Sequence, residues 1–167
     1  MGAKVSYTEI RIGSIVDEVT SGIILQQVNA QGVMGSGVAK AIREKYPLVW
    51  EVYSSTVGPP YTQKDSGRDL LGKVIYVQVS PELFIANIVG QQFFGRDQKR
   101  YTSYDALDIG FADIARVNKD EQLKIHHPLI GCGLGGGDWG VVSSLLKHHF
   151  GSTTLWSLPG SAEHPEP

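Results

Sequence analysis

This sequence of 167 residues has little of several features that would mark a particular class of protein. It contains one cysteine, Cys132, so no disulfide can form within the chain and a zinc site built on several thiolates is excluded. No apolar run approaches the length of a membrane-spanning helix, and the first residues lack the apolar stretch of a signal peptide. We therefore expect a cytoplasmic protein with no membrane partner.

An excess of charge of one sign is also missing. The chain has 15 lysines and arginines against 17 aspartates and glutamates, which gives a formal net charge of −2. Proteins that follow nucleic-acid phosphates usually carry a basic stripe. We expect no direct nucleic-acid scaffold as a partner, whereas a single nucleotide stays open as a ligand. The hydrophobic fraction of 41% is ordinary for a globular domain.

Apolar periodicity predicts alternating strands and helices along most of the chain. Strands are expected at 10–12, 22–28, 73–79, 83–89, 123–127 and 153–156, and helices at 38–45, from Pro47, after Ser103 and after Asp138. Residues 58–71 are expected to form a surface loop. The alternation predicts an α/β fold, a three-layer α/β/α sandwich with a mixed, largely parallel central sheet. We expect one domain over residues 1–158, a disordered tail over 159–167, and a monomer.

Two glycine-rich stretches each stand between a predicted strand and a predicted helix. The first runs from Val28 to Ala39 and the second from Ile130 to Trp139. Glycine lets a ligand approach main-chain N–H groups, and the following helix turns its positive dipole end toward the loop. Two such loops at the carboxyl edge of a sheet predict a site that holds a diphosphate from both sides. The alternative is that both are tight turns with glycine caps.

Two common nucleotide-binding patterns do not fit these loops. Neither loop ends in the Gly-Lys-Ser/Thr of a P-loop. Neither has the Gly-x-Gly-x-x-Gly spacing followed by a ribose-binding acid, so a redox dinucleotide fold is disfavoured.

The two loops resemble the ligand loops of macrodomains. The resemblance rests on residues 28–30 with 35–39, on 130–136, and on the motif of 86–91 with 100–104, and it spans Ile10 to Trp156. Within that family the chain is most similar to small stand-alone proteins grouped with ADP-ribose-1''-phosphate phosphatases and terminal ADP-ribose glycohydrolases. The resemblance implies ADP-ribose or its 1''-phosphate as ligand, no cofactor, and hydrolysis of ADP-ribose-1''-phosphate to ADP-ribose and phosphate.

Three alternatives stay open beside this phosphatase. One is a non-catalytic binder of ADP-ribose or a related nucleotide signal. Another is a hydrolase of ester-linked ADP-ribose on protein or nucleic acid. The third is an unrelated nucleotide-binding α/β protein.

The resemblance also implies roles for individual residues. Asn29 is expected to hydrogen-bond the distal ribose, and its competing role is an Asx turn. The expected ligand-binding residues of the loops are Ala30, Gly35, Ser36, Gly37, Val38, Gly131, Cys132, Gly133, Leu134, Gly135 and Gly136. Macrodomains commonly place an adenine-recognising aspartate where this chain has Ser14, so main-chain groups of Ser14 and Ile15 are expected to recognise adenine instead. Phe93, Phe94 and Tyr101 are candidates for stacking on the base.

Catalytic residues of the related enzymes are replaced in this chain. The glycohydrolase branch uses a lysine where Gly90 or Gln91 stands, and an acid where Gly135 stands. The phosphatase branch has a histidine roughly where Gln26 stands. The remaining candidate is Asp138, which would orient or deprotonate a water held with Asn29, and whose competing role is a helix N-cap.

Other reactive side chains are interpreted as structural. Cys132 has no histidine and aspartate partners nearby in sequence. His126 and His127 are neighbours on a strand and must point to opposite faces, so they cannot chelate one metal. His148 and His149 complement a helix dipole. No metal is therefore expected.

Overall fold

The computed structural model describes residues 8–58 and 64–159. Six strands form one sheet in the order β1-β6-β5-β2-β4-β3. The strands are β1 Thr8–Ile12, β2 Gly22–Asn29, β3 Val74–Ser80, β4 Leu83–Gln91, β5 Ile125–His127 and β6 Thr153–Ser157. The helices are α1 Ile15–Glu18, α2 Gly37–Lys45, α3 Pro47–Val57, α4 Tyr104–Val117 and α5 Trp139–Phe150. Residues 160–167 of the predicted tail lie outside the described residues.

The direction of the strands follows from the lengths of their connections. β3 and β4 are joined by a short turn and pair antiparallel, as the sequence predicts. Every other pair is parallel: β1 with β6, β6 with β5, β5 with β2, and β2 with β4. The predicted mixed, largely parallel sheet is confirmed, and β2 lies inside it with both faces covered.

Helices cover the sheet on both sides and complete three layers. One hydrophobic cluster joins one face of the sheet to α1, α2 and α3, with Tyr53 and Ile42 fully buried in it. A second cluster joins the opposite face to α4 and α5 around Phe111 and Leu146. The two faces of β2 supply Ile24 to the first cluster and Leu25 to the second, because successive side chains of a strand alternate in direction.

Polar side chains fix where the helices begin. Ser103 accepts a hydrogen bond from the Ala106 amide and caps α4, as predicted from its position before an amphipathic run. Pro47 is the first residue of α3, where its missing N–H costs nothing.

The structure corrects two sequence predictions of local structure and adds one short helix that the sequence did not predict. The predicted loop 58–71 contains a 3₁₀ helix, Lys64–Leu70, in which Gly67 (φ +82°) packs against Ala30 of the first glycine loop. The predicted strand 123–127 begins only at Ile125, because the Asn118 side chain binds both the N–H and the carbonyl of Leu123, at 2.8 and 2.9 Å. The short helix α1 had no periodic signal. Among the described helices, none is long and apolar enough to cross a membrane.

Gly110 marks a close approach of α4 to the sheet. A Cβ at this position would lie 2.5 Å from Cγ2 of Ile88 on β4. Replacing a mid-helix glycine by alanine normally stabilises a helix by about 1 kcal/mol. Here we expect Gly110→Ala to lower the free energy of unfolding by about 1–3 kcal/mol, because the methyl group overpacks the core. Urea denaturation would measure this change, with Ser144→Ala on the exposed face of α5 as control. A stabilised Gly110→Ala variant would contradict the close packing.

Candidate functional site

The loops predicted to bind a ligand meet at one edge of the sheet. β5, β2 and β4 are neighbours and run parallel, so their carboxyl ends lie side by side. The first glycine loop follows β2, the second follows β5, and the connection 92–103 follows β4. The Ala30 amide donates to the Gln91 carbonyl at 2.9 Å, and the Tyr101 amide donates to the Gly135 carbonyl at 2.8 Å. The fold therefore brings both predicted loops together with a third segment.

Asn29, the last residue of β2, shapes the first loop. Its Oδ1 accepts from the amides of Gln31 and Val33 at 3.0 and 3.3 Å, and its Nδ2 donates to the Val33 carbonyl at 2.8 Å. The Asx turn that competed with the ribose contact is thus present in the structure. The second N–H of Asn29 Nδ2 takes no part in this turn, so a ribose contact through that N–H is compatible with the Asx turn.

Tyr53 of α3 holds the same turn from below, and sequence reasoning missed it. Its hydroxyl donates to the Asn29 carbonyl at 2.6 Å and lies 2.9 Å from Asn29 Oδ1. Main-chain groups of Gly32 and Val33 lie against the same oxygen, and burial raises the pKa of the phenol above its usual range. The neutral hydroxyl is a fixed buried anchor for the first loop.

The second loop wraps around Thr102. The Thr102 hydroxyl donates to the Gly131 carbonyl at 2.8 Å. A Cβ at Gly131 or Gly135 would lie 2.9 or 2.5 Å from Thr102 Oγ1, and one at Gly136 would lie 2.5 Å from the Lys99 carbonyl. Internal packing therefore requires glycine at these three positions.

Three other loop glycines meet no such constraint. A Cβ at Gly37 or Gly133 would have no described atom within 4 Å, and one at Gly35 would approach only Val33, at 3.7 Å. Gly37 has a positive φ of +59°, which favours glycine, whereas Gly133 and Gly35 do not. The absence of a side chain at Gly133 and Gly35 leaves main chain open to an approaching molecule.

The two following helices differ at their first turn. The Ser36 hydroxyl makes no capping hydrogen bond to any described residue, so the start of α2 faces the loop uncapped by a side chain. Asp138 Oδ1 accepts from the Gly140 and Val141 amides and caps α5. A carboxylate therefore occupies the α5 end, whereas no side chain caps the α2 end. The predicted capping role of Asp138 is confirmed.

The candidates for adenine recognition lie at opposite ends of this edge. Ser14 follows β1 and caps α1, while Ile15 is buried beside it. Phe93 and Phe94 follow β4 and are 47% and 52% exposed, so neither is a core anchor. Three strands separate β1 from β4, which puts their ends roughly 19 Å apart at the usual strand spacing. One adenine cannot occupy both places, so these expectations exclude each other.

Gly90 and Gln26 stand where the resemblance implies catalytic residues in related enzymes, and a glutamine side chain is packed at each of these two places. A Cβ at Gly90 would lie 2.4 Å from Gln27 Oε1, so a longer side chain does not fit there unless Gln27 moves. Gln26 is buried on the other face of β2, where its Nε2 donates to Asn87 Oδ1 at 2.6 Å.

The reactive side chains outside the loops are held in structural contacts. Burial lowers the pKa of both His126 and His127 to about 4. His126 accepts a hydrogen bond from Trp156 on one face of the sheet, and the His127 ring centroid lies 5.8 Å from the Trp139 ring centroid on the other. The two histidines thus point to opposite faces, as predicted. His149 pairs with Asp108 at 2.5 Å. The described residues include no group of three or more histidine, cysteine or acidic side chains placed to hold a metal ion.

Two cavities of the described part of the chain have no residue of either glycine loop in their lining. One, of about 370 Å³, is lined by residues that include Gln92 and Arg100–Asp105. The other, of about 550 Å³, lies along β1 beside Trp156. We place the candidate site between the two glycine loops, because the main chain at Gly133 and Gly35 is open to an approaching molecule there.

Sequence comparison identifies a distant relative. No protein-family model matches this chain. The chain is similar to the DNA ADP-ribosyl transferase–DNA ADP-ribosyl glycohydrolase fusion protein of Thermosipho africanus, at 27% identity over 132 residues. The match covers 71% of this chain and 33% of the relative, so the chain spans about one third of that protein's length.

Solved structures define the class of fold. A protein of unknown function from Bacteroides thetaiotaomicron has a TM-score of 0.77 at 25% identity, covering 92% of this chain and 98% of its own. A macrodomain protein from Streptomyces coelicolor has a TM-score of 0.71 at 22% identity, covering 93% and 100%. Thermosipho africanus DarTG in complex with ADP-ribose has a TM-score of 0.62 at 21% identity, covering 87% and 40%. The chain therefore has the macrodomain fold, which confirms the resemblance to macrodomains but does not distinguish a subgroup.

Loss of the Tyr53 hydroxyl tests the anchor of the first loop. We expect Tyr53→Phe to lower the free energy of unfolding by about 1–3 kcal/mol, since a buried carbonyl loses its donor. Amide hydrogen exchange at Gly32 and Val33 should accelerate selectively. Tyr76→Phe, which removes a hydroxyl bound to Asp113 at 2.6 Å away from the loops, is the matched control. Equal exchange at Gly32 and Val33 in both variants would show that Tyr53 does not hold the loop.

The reactivity of Cys132 tests whether this single cysteine has a structural role. Burial, with a smaller contribution from the charge of Asp138, raises the pKa of the Cys132 thiol to about 12. Thiolate is therefore scarce until the pH approaches that value, and we expect slow alkylation by iodoacetamide near neutral pH. Mass spectrometry would follow the reaction, with the urea-unfolded chain as reference. Alkylation of the folded chain at the unfolded rate would reject a structural Cys132.

Proposed function

We propose that this chain binds ADP-ribose between its two glycine loops and hydrolyses ADP-ribose-1''-phosphate to ADP-ribose and phosphate. The macrodomain fold supports the ligand, since a protein of this fold, Thermosipho africanus DarTG, has been solved with ADP-ribose. The similarity to an ADP-ribosyl glycohydrolase fusion protein supports a hydrolytic reaction at the terminal ribose.

The observation that carries the proposal is the open main chain at Gly133. Neither packing nor a positive φ requires glycine at this position of the second loop. A glycine that the protein does not need internally is explained by a molecule that approaches the backbone closely. The N–H groups of Gly133 and its neighbours are the proposed donors to one side of the diphosphate.

The start of α2 supplies the other side. Its first turn is uncapped by Ser36, and the helix dipole favours an anion there. Gly35, Ser36, Gly37 and Val38 are the proposed donors. The diphosphate is thus expected nearer to α2 than to α5, whose end carries the Asp138 carboxylate.

The proposed contacts of the two ends of the ligand give it a direction along the sheet edge. Adenine extends toward the end of β1, where main-chain groups of Ser14 and Ile15 recognise it. The terminal ribose then extends toward β4, beside Asn29, which pairs with Gln91 in the sheet. Phe93, Phe94 and Tyr101 border the terminal ribose and its substituent, and stacking on adenine is withdrawn from their proposed roles.

Hydrolysis requires a water near the phosphate on the terminal ribose. Asn29 Nδ2 would orient the ribose with its second N–H. Asp138 is exposed, and both of its capping bonds fall on Oδ1, so Oδ2 is the proposed acceptor that orients the water. The water oxygen attacks phosphorus and the P–O bond to the ribose breaks. One proton of the water passes to the departing ribose oxygen, and the other stays on the released phosphate.

A second candidate reaction is removal of ADP-ribose from nucleic acid. It is favoured by the similarity to the DNA ADP-ribosyl glycohydrolase fusion protein. The exposed segment 92–100, with two phenylalanines and three basic residues, would then border the acceptor strand.

A ³¹P NMR time course with ADP-ribose-1''-phosphate tests the proposal. We expect inorganic phosphate to grow beside intact ADP-ribose, and Gly133→Val to lose binding while it stays folded. Asp138→Ser keeps a good N-cap without the carboxylate, so it should retain stability and slow turnover by about tenfold or more.

Each outcome has a distinct meaning. Binding of ADP-ribose without phosphate release would reject the phosphatase and leave a binder or the nucleic-acid glycohydrolase, which an ADP-ribosylated oligonucleotide would separate. Full turnover by Asp138→Ser would remove Asp138 from the mechanism. Unchanged phosphorus signals with either ligand would reject ADP-ribose as the ligand.

A further inference from the structure

Gln27 lies at the centre of a hydrogen-bonded chain beneath the second glycine loop. Its Nε2 donates to Gln91 Oε1 at 2.6 Å and to Thr102 Oγ1 at 3.0 Å. The Thr102 hydroxyl passes the chain on to the Gly131 carbonyl at 2.8 Å. This hydrogen-bond network thus extends from Gln27 on β2, through Thr102 of the connection 92–103, to Gly131 in the second glycine loop.

We propose that Gln27 and Thr102 are positioning residues that hold the second glycine loop so that its main-chain N–H groups face the diphosphate. The proposal rests on the proposed ADP-ribose site. Neither side chain is assigned a contact with the ligand.

Close packing makes the loop conformation depend on these two side chains. A Cβ at Gly131 would lie 2.9 Å from both Gln27 Oε1 and Thr102 Oγ1. One at Gly135 would lie 2.5 Å from Thr102 Oγ1 and 3.0 Å from Gln27 Nε2. The loop backbone therefore rests directly on the amide and the hydroxyl, and a change in either moves the main chain that would face the ligand.

The same hydrogen-bond network also extends to the first glycine loop. Gln91, which accepts from Gln27, donates through Nε2 to the Phe93 carbonyl at 2.7 Å. The Gln91 carbonyl accepts from the Ala30 amide, the first residue after β2. Gln27 thus links the two sides of the proposed diphosphate site through a single neighbouring residue, Gln91, whose side chain accepts from Gln27 and whose main-chain carbonyl accepts from Ala30.

Gln26 provides a natural control on the same strand. Gln26 is buried and Gln27 is partly buried, and both have a buried Oε1 without a hydrogen-bond partner among the described residues. Its Nε2, however, donates to Asn87, whose amide donates to the Ile75 carbonyl of β3. This network remains between strands and does not touch either loop, so Gln26 reports the cost of losing a buried amide alone.

Paired substitutions test the proposal by calorimetric titration with ADP-ribose. We expect Gln26→Met and Gln27→Met to lower the melting temperature similarly. Only Gln27→Met should weaken ADP-ribose binding, by about tenfold or more, since the loop donors lose their alignment. Should Gln27→Met not fold, Thr102→Val and Thr102→Ser replace it. Valine loses the hydroxyl and should weaken binding, whereas serine restores the bond to Gly131.

A charge variant adds a readout that a merely structural role would not give. In Gln27→Glu, the ionised carboxylate accepts but cannot donate to Gln91 or Thr102, whereas the protonated acid donates. Burial favours the protonated form. We expect ADP-ribose affinity of this variant to rise about tenfold from about pH 8 to about pH 5, while the parent, whose amide does not titrate, changes little.

Two failures would be distinguishable. If the parent chain binds ADP-ribose and Gln27→Met binds as tightly as Gln26→Met, Gln27 is not a positioning residue and the proposed site stands. If the parent chain shows no binding, the proposed function falls, and this inference falls with it.

Discussion

The parallel pairing of β2 with its two neighbours is the constraint on which the rest of the structure depends. β2 is buried along nearly its whole length, and β4 and β5 run in the same direction on either side of it. Parallel pairing needs crossover helices, and these cover both faces. It also places the carboxyl ends of three strands at one edge of the sheet. The two glycine loops therefore lie at the same edge although about 100 residues separate them in sequence.

The two loops are held by different kinds of interaction. A buried phenol on a helix, Tyr53, anchors the first through the Asx turn of Asn29. Polar side chains from β2 and from the segment after β4, Gln27 and Thr102, support the second. Each loop thus has its own support, while the main chain at Gly133 and Gly35 stays uncovered by side chains. Preorganised main-chain donors of this kind avoid an ordering cost when an anion binds.

Much of this fold could be predicted from local patterns. The apolar run of β2, the amphipathic spacing of α4 and the capping residues Ser103 and Asp138 are signals within a few residues, and the structure follows them. The order of the strands is not local: nothing in residues 8–12 shows that β1 pairs with the last strand. The supports of the loops were missed for the same reason. Tyr53 reads as one more apolar position of a helix, and its hydroxyl gains a role only when α3 folds under the first loop.

Candidate site residues divide along the same line. The sequence marks the glycines but does not show which serve packing and which serve a ligand, a distinction that only neighbouring atoms make. It places Ser14 and Phe93 in one adenine site because distance along the sheet edge is not visible in a linear pattern. The cap made by Asp138 uses one carboxylate oxygen and leaves the other, so the cap is compatible with the proposed orientation of a water.

The contact between Gln27 and Gly90 has an evolutionary consequence. A side chain at position 90 and a glutamine at position 27 compete for the same volume. A substitution that enlarges residue 90 therefore requires that the side chain of residue 27 become smaller or turn away. Positions 27 and 90 are expected to covary among homologous chains, and the identity of residue 27 would then reveal, from sequence alone, whether the end of β4 has room for a reactive side chain.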